Sequence, residues 1–256
     1  MIERVVQVYK TKYETVAQPP GIGDFILGAM SLFNLYEDRA SVDYSEHPIS
    51  NFLCNECSVP GMSSGDVVNE FFNKGIGHVD DFVKDKTGII KVITNARIFT
   101  VTTKLKEFII NSFLPTRELC DTIDKELEQL GLVDYETIHI RAGDNSMFHD
   151  TPQLKVKLNE IGISFQNNKN VLLVTDNAFI KNYLTTTFHN IKSFKCTPIH
   201  LGLLKEADEV NIKNTLLEFF MMATSKKISC YSVYGGSGFS QVISLIYDIP
   251  YNAYKI

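Results

Sequence analysis

Thr137-Ile138-His139-Ile140-Arg141-Ala142-Gly143-Asp144 is the stretch whose reading decides the fold. Its β-formers give way to a small-residue turn and polar sequence, which predicts a buried strand, Tyr135 to Arg141, ending in a loop. Alternation along a strand puts Ile138 and Ile140 on one side and His139 and Arg141 on the other. A cation is thereby delivered to a strand's carboxyl end, where open α/β sheets bind their ligands and where a guanidinium can fork onto a phosphate. An Arg with an Asp three residues on is equally the pattern of a structural ion pair, and on these residues alone both readings stand.

Outward from this strand the pattern repeats. A helix is expected near Thr151 to Ile161, then the aliphatic strand Val171-Leu172-Leu173-Val174 ending in Thr175-Asp176, a helix over Asn177 to Thr185, and a strand over Ile191 to Cys196. A long helix from Glu209 to Thr224, a strand from Lys227 to Val233, a helix from Phe239 to Tyr247 and a short strand near Tyr251 to Tyr254 follow. Strands alternating with helices predict a parallel, doubly wound sheet. In such a sheet the residues just past the strands gather at one rim: His139, Arg141 and Asp144; Thr175 and Asp176; and Tyr234-Gly235-Gly236-Ser237-Gly238-Phe239-Ser240. Arg141 offers charge to a diphosphate, the serine and glycine turn offers N–H and hydroxyl donors at a helix start, and Asp176 offers an acceptor to a base or ribose. Each also has an ordinary structural use, as helix cap, turn or core contact.

The first half is less regular. A strand is expected over Ile2 to Tyr9, then Gln18-Pro19-Pro20-Gly21-Ile22-Gly23-Asp24 ahead of an apolar run at helical spacing, with Asp24 placed as the N-cap. The glycines allow backbone N–H groups near an anion, although Gly28 falls too late for the dinucleotide fingerprint. Further expectations are a strand over Ala40 to Glu46, a loop from Ile49 to Met62, a helix over Asp66 to Phe72, a strand over Ile89 to Thr94 and a helix over Thr103 to Phe113. Pro115 is read as the first position of an amphipathic helix carrying Leu119, Ile123, Leu127 and Leu130. A domain junction is placed before it, giving domains 1–114 and 115–256.

The 256 residues carry a net charge of −5 and no basic cluster, which argues against a nucleic-acid surface. The N-terminus lacks a signal-peptide pattern and no apolar run reaches membrane-spanning length, so a cytoplasmic chain is expected. Five cysteines fit reduced thiols, and Cys54-Asn55-Glu56-Cys57 is half of a zinc ligand set.

Three motifs, in this order, carry a family resemblance: His139-Ile140-Arg141-Ala142-Gly143-Asp144 resembles HxRxGD, Val171 to Asp176 a strand ending in TD, and Ser237-Gly238-Phe239-Ser240 an S-x-F-S element before a helix. Pro20-Gly21-Ile22-Gly23-Asp24 is similar to the N-terminal glycine turn. Together they resemble the fucosyltransferase-like superfamily of glycosyltransferases, which includes protein O-fucosyltransferases and bacterial and plant fucosyltransferases. The resemblance implies an α/β, GT-B-like fold of two Rossmann-type domains with parallel sheets, the N-terminal one abbreviated. It implies an inverting, metal-independent transferase with no cofactor, taking a nucleotide sugar, GDP-fucose, as donor and a glycan or other hydroxyl acceptor as partner. Arg141 would bind the leaving diphosphate, with donor contacts from Gly21, Gly23, His139, Asp144, Thr175, Asp176, Ser237, Gly238, Phe239 and Ser240. Asp24, across an interdomain cleft, is the first candidate for the catalytic base, with Asp144 second and His139 a further one. Relatives often carry a second Arg where Ala142 stands. Another nucleotide sugar as donor, or a binding module without turnover, are the alternative functions.

Overall fold

The computed structural model describes residues 2–12, 20–54, 68–97, 100–142, 151–196 and 208–256. Two compact units divide the chain, one of residues 1–117 and 201–213, the other of residues 118–200 and 214–256.

The first unit is built on four parallel strands: β1 (Ile2–Val8), β2 (Ala40–Asp43), β3 (Asn69–Phe71) and β4 (Gly88–Thr94), in the order β2-β1-β4-β3. Helices α1 (Ile22–Tyr36), α2 (Ile76–Val83) and α3 (Thr103–Ser112) belong to it. Helix α1 is apolar nearly all round and is almost wholly buried. Gly28 is what lets it lie close to the sheet: a Cβ there would sit 1.9 Å from the Thr94 carbonyl oxygen and 2.2 Å from Gln7 Nε2. The buried Gln7 side chain knits the same three elements, with Nε2 donating to the carbonyls of Thr94 (2.7 Å) and Phe25 (3.3 Å) while Oε1 accepts from the Thr94 N–H (3.2 Å).

The second unit contains α4 (Arg117–Leu130) from Glu118 onward, then β5 (Glu136–Arg141), α5 (Pro152–Ser164), β6 (Val171–Thr175), α6 (Ala178–Thr187), β7 (Ile191–Lys192), most of α7 (Glu209–Ala223), β8 (Ile228–Ser232), α8 (Gly238–Tyr247) and β9 (Tyr251–Lys255). Its five strands are all parallel in the order β7-β6-β5-β8-β9. Counted within the unit, that is the 3-2-1-4-5 order of a doubly wound Rossmann sheet, with its switch point between β5 and β8. Ile138 and Ile140 are fully buried in one cluster with Leu154, Leu158 and Ile161 of α5 and Ile180 and Leu184 of α6. The alternation expected of β5 is therefore realised, and the opposite face is left to His139.

Several expectations need correction. Residues 69–71 are an edge strand where the sequence predicted a helix over Asp66 to Phe72. Their pairing with β4 (Asn69 opposite Val92, Phe71 opposite Thr94) decides the conformation over local propensity. The helix of this region is α2, where only Val79 and Val83 are buried, too few apolar positions to mark it in the sequence. Pro115 does not start a helix: it forms an antiparallel bridge with Leu53, flanked by the Cys54 N–H on the Leu114 carbonyl (2.7 Å) and the Thr116 N–H on the Phe52 carbonyl (2.9 Å), so α4 begins at Arg117. The strand expected over Ile191 to Cys196 stops at Lys192. Asp24 is not an N-cap either; Gly21 holds that place, its carbonyl accepting from the Phe25 N–H at 3.1 Å, and Asp24 lies in the first turn, where the helix dipole favours a carboxylate. The two units divide at 117/118, at the start of the helix in or just before which the junction was expected, and residues 208–213, at the start of α7, group with the first unit.

Candidate functional site

The second unit gathers its polar groups at the carboxyl ends of β5, β6 and β8. Arg141 is the last residue of β5 and stands opposite Ser232, the last residue of β8. The next residues on the β8 side form the turn into α8, with Gly235 (φ 71°) and Gly236 (φ 155°) in conformations that side chains resist. The guanidinium of Arg141 and the N-terminus of α8 thus leave adjacent parallel strands at the switch point, the place where such sheets bind ligands. Helix first-turn N–H groups have no intrahelical acceptor and carry the positive end of the dipole, so Gly238, Phe239 and Ser240 present donors suited to an anion.

Arg141 is not a lone charge. Its Nη1 donates to Asp176 Oδ2, and Asp176 Oδ1 accepts from the Ala142 N–H at 2.7 Å. The two side chains retain only 13% and 8% exposure. Thr175 is buried, and its hydroxyl oxygen accepts from the Asn177 N–H at 3.3 Å; Asn177 is the N-cap of α6, its Oδ1 accepting from the Ile180 N–H at 3.1 Å. Asp176 is therefore set between a strand end and a capped helix. The pattern TD supplied the position, but its partner across 35 residues follows only from the parallel register of β5 and β6.

His139 and Ser240 meet each other. Nδ1 of His139 and Oγ of Ser240 are hydrogen-bonded at 2.8 Å, and both residues are buried, at 3% and 0% exposure. The Phe239 ring meets the His139 ring edge-on, with centroids 5.9 Å apart, and contacts Phe219 as well. The hydroxyl of Ser240 is thus committed inward. Ser237 makes no side-chain cap; its N–H donates to Tyr251 Oη at 3.3 Å, and Tyr251 Oη also lies 3.4 Å from Ser240 Oγ. Burial pushes the Tyr251 phenol up, so it remains a neutral hydroxyl. Tyr251, expected only as the start of the terminal strand, comes to the site because that strand, β9, pairs with β8. Gly143 and Asp144 lie outside the described residues.

In the first unit, Gly21 and Gly23 enter α1 and Asp24 forms an ion pair with Arg97, Nη2 to Oδ1 at 3.8 Å. Arg97 follows the end of β4 as Arg141 ends β5, and the strand-end rule applied to β4 would have found it. Below them Tyr9 stacks on Phe25 (4.4 Å) and on His47 (4.0 Å). Burial lowers His47 to about 4, so it is neutral near pH 7, and its Nδ1 accepts from the Ile49 N–H at 3.1 Å. Among the described residues no group of three or more His, Cys, Asp or Glu is placed to hold a metal ion, and Cys57 of the CxxC pair lies outside them. Among the described residues no helix is long and apolar enough to cross a membrane.

No protein-family model matches the chain, and no curated protein matches its sequence. Among solved structures it is similar to NodZ α-1,6-fucosyltransferase co-crystallized with GDP, with a TM-score of 0.57 at 14% identity over 96% of this chain and 93% of that one. It is similar to the fucosyltransferase NodZ from Bradyrhizobium, at 0.55 and 14% over the same shares. An Arabidopsis thaliana FUT1 mutant in complex with GDP gives 0.61 and 15%, over 98% of this chain and 70% of that one. At such identities the likeness shows the fold, which is the α/β, GT-B-like fold of fucosyltransferases with two Rossmann-type units.

Proposed function

We propose that this chain is an inverting glycosyltransferase that moves fucose from GDP-fucose to a glycan or other hydroxyl acceptor. One observation carries the reading: Arg141 ends β5 at the switch point of a 3-2-1-4-5 parallel sheet, one strand from the N-terminus of α8. A guanidinium and a set of helix N–H groups on adjacent strands suit a diphosphate. The GDP held by the similar NodZ and FUT1 structures supports the guanine nucleotide.

In the reaction so read, the acceptor oxygen bonds to the anomeric carbon from the face opposite the diphosphate. The bond from that carbon to the phosphate oxygen breaks, with the electron pair leaving on the diphosphate. Arg141 and the α8 N–H groups stabilise that developing charge. The acceptor proton passes to a base, for which Asp24 is proposed. His139 and Ser240 act from beneath, joining β5 to α8. The resemblance assigns charge neutralisation to Arg141 rather than to a metal ion, and turnover unaffected by EDTA is the expected result.

Ala142, where relatives often have a second Arg, favours a second reading, a nucleotide-binding module without turnover. Calorimetry with GDP, UDP and ADP, followed by GDP release from GDP-fucose, separates the two. The proposed enzyme binds GDP best and turns over, and Arg141→Lys, which keeps the charge but loses the fork, cuts turnover roughly 100-fold. Binding without turnover leaves the module, preference for UDP or ADP points to another donor sugar, and no nucleotide binding removes both readings.

A further inference from the structure

We infer that Asp176 is a positioning residue that holds the Arg141 guanidinium toward the diphosphate, in place of a contact to the nucleoside end of the donor. Its catalytic side rests on the function proposed above. The pair itself does not.

Both carboxylate oxygens of Asp176 go to the end of β5. Oδ2 takes the guanidinium and Oδ1 the Ala142 N–H at 2.7 Å, so one side chain fixes both the Arg141 head and the backbone that leaves the strand. Register makes this possible: Ile140 stands opposite Thr175, which puts Arg141 and Asp176 side by side where two parallel strands finish. The Asp176 backbone is held in turn by the Thr175 hydroxyl and the Asn177 cap. With 13% and 8% exposure, each charge depends on the other for its solvation. A long arginine side chain has many rotamers, and a partner that removes them sets the guanidinium before the ligand arrives. A guanidinium has five N–H donors, more than one carboxylate can take, so pairing with Asp176 is compatible with a diphosphate contact. The negative charge has an opposite effect on affinity, since it stands beside the position proposed for the diphosphate and repels it.

These two effects give a signature that simple structural damage does not. Asp176→Asn keeps the size and an acceptor for the Ala142 N–H while removing the charge. The expected result is GDP binding roughly tenfold tighter together with a kcat roughly tenfold or more lower, and partial recovery of kcat in Asp176→Glu. Weaker GDP binding with an altered preference among GDP, UDP and ADP would overturn the inference in favour of a nucleoside contact, and unchanged binding and kcat would overturn it too. An arm without nucleotide tests the pair alone, by melting shifts of Arg141→Gln, Asp176→Asn and the double variant. A double variant no less stable than the worse single one is expected, and strictly additive shifts would overturn the pairing. If the wild-type protein binds none of the three nucleotides, the proposed function fails while this cycle still decides the role of Asp176.

Discussion

Replacing Glu218 by glutamine should stabilise the protein in alkaline solution and do little in acid. Glu218 of α7 lies in the second unit, where it accepts the Cys196 thiol at 3.6 Å. Lys181 of α6 donates to the Cys196 carbonyl at 2.8 Å and reaches its sulfur at 3.5 Å. Burial raises the Glu218 carboxyl from 4.5 to about 7, against the smaller opposing pull of Lys181, and burial likewise pushes the Cys196 thiol up to about 12. A carboxyl raised in the folded state favours folding when protonated. Its contribution is complete below pH 4.5 and is lost as pH rises through about 7. At about 1.4 kcal/mol for each pH unit, the full window is worth about 3 kcal/mol. That is a ceiling, because the residue keeps some exposed surface although its carboxyl group is enclosed. Glutamine retains the acceptor for the thiol and has no charge to bury. Paired urea melts of the wild type and Glu218→Gln should therefore differ by under about 1 kcal/mol at pH 5 and by up to about 3 kcal/mol at pH 8.5, the variant being the more stable. An offset that is the same at both pH values, or a variant weaker at pH 8.5, would refute the reasoning.

Gly28→Ala should cost about 3 kcal/mol, because the added carbon meets backbone at Thr94 and the buried Gln7 amide; a melting point within error of the wild type would show that α1 shifts freely. His47, lowered to about 4 by burial, contributes stability above pH 6.5 that is lost as pH falls toward 4, worth about 3 kcal/mol, and His47→Asn should flatten that part of the stability curve. Asp24→Asn should leave GDP affinity intact and lower turnover roughly 100-fold, whereas its exposed ion pair with Arg97 is worth under about 1 kcal/mol; a rate unchanged across pH would leave Asp24 only its place at the start of α1.

Much of the second unit was legible along the chain. Val171 to Val174 is a run of aliphatic residues because β6 is buried on both faces. The alternation of β5 follows from its two different neighbours, the α5 and α6 core on one side and α8 on the other. The starts of α5 and α6 were legible to within a residue, but the cap of α6 is Asn177 rather than the Thr175-Asp176 pair, because the cap is fixed by which side chain reaches the N–H three residues on. The first unit was harder to read for the converse reason. Strand β3 is three half-buried residues whose conformation is set by β4, and Pro115 is drawn from a helix start into a bridge with Leu53, 62 positions earlier.

By itself the sequence placed the ends of β5 and β6 and the start of α8, since hydrophobic period and turn residues act over a few positions: Arg141, the TD pair and the Ser237 to Ser240 turn lie there. Only the tertiary structure decided what those residues do to one another. Strand order and register pair Arg141 with Asp176, turn His139 and the Ser240 hydroxyl inward as a buried couple, and set Tyr251 under Ser237. These contacts join residues that are far apart in the chain, and no local pattern encodes a partner that arrives through the parallel pairing of separate strands.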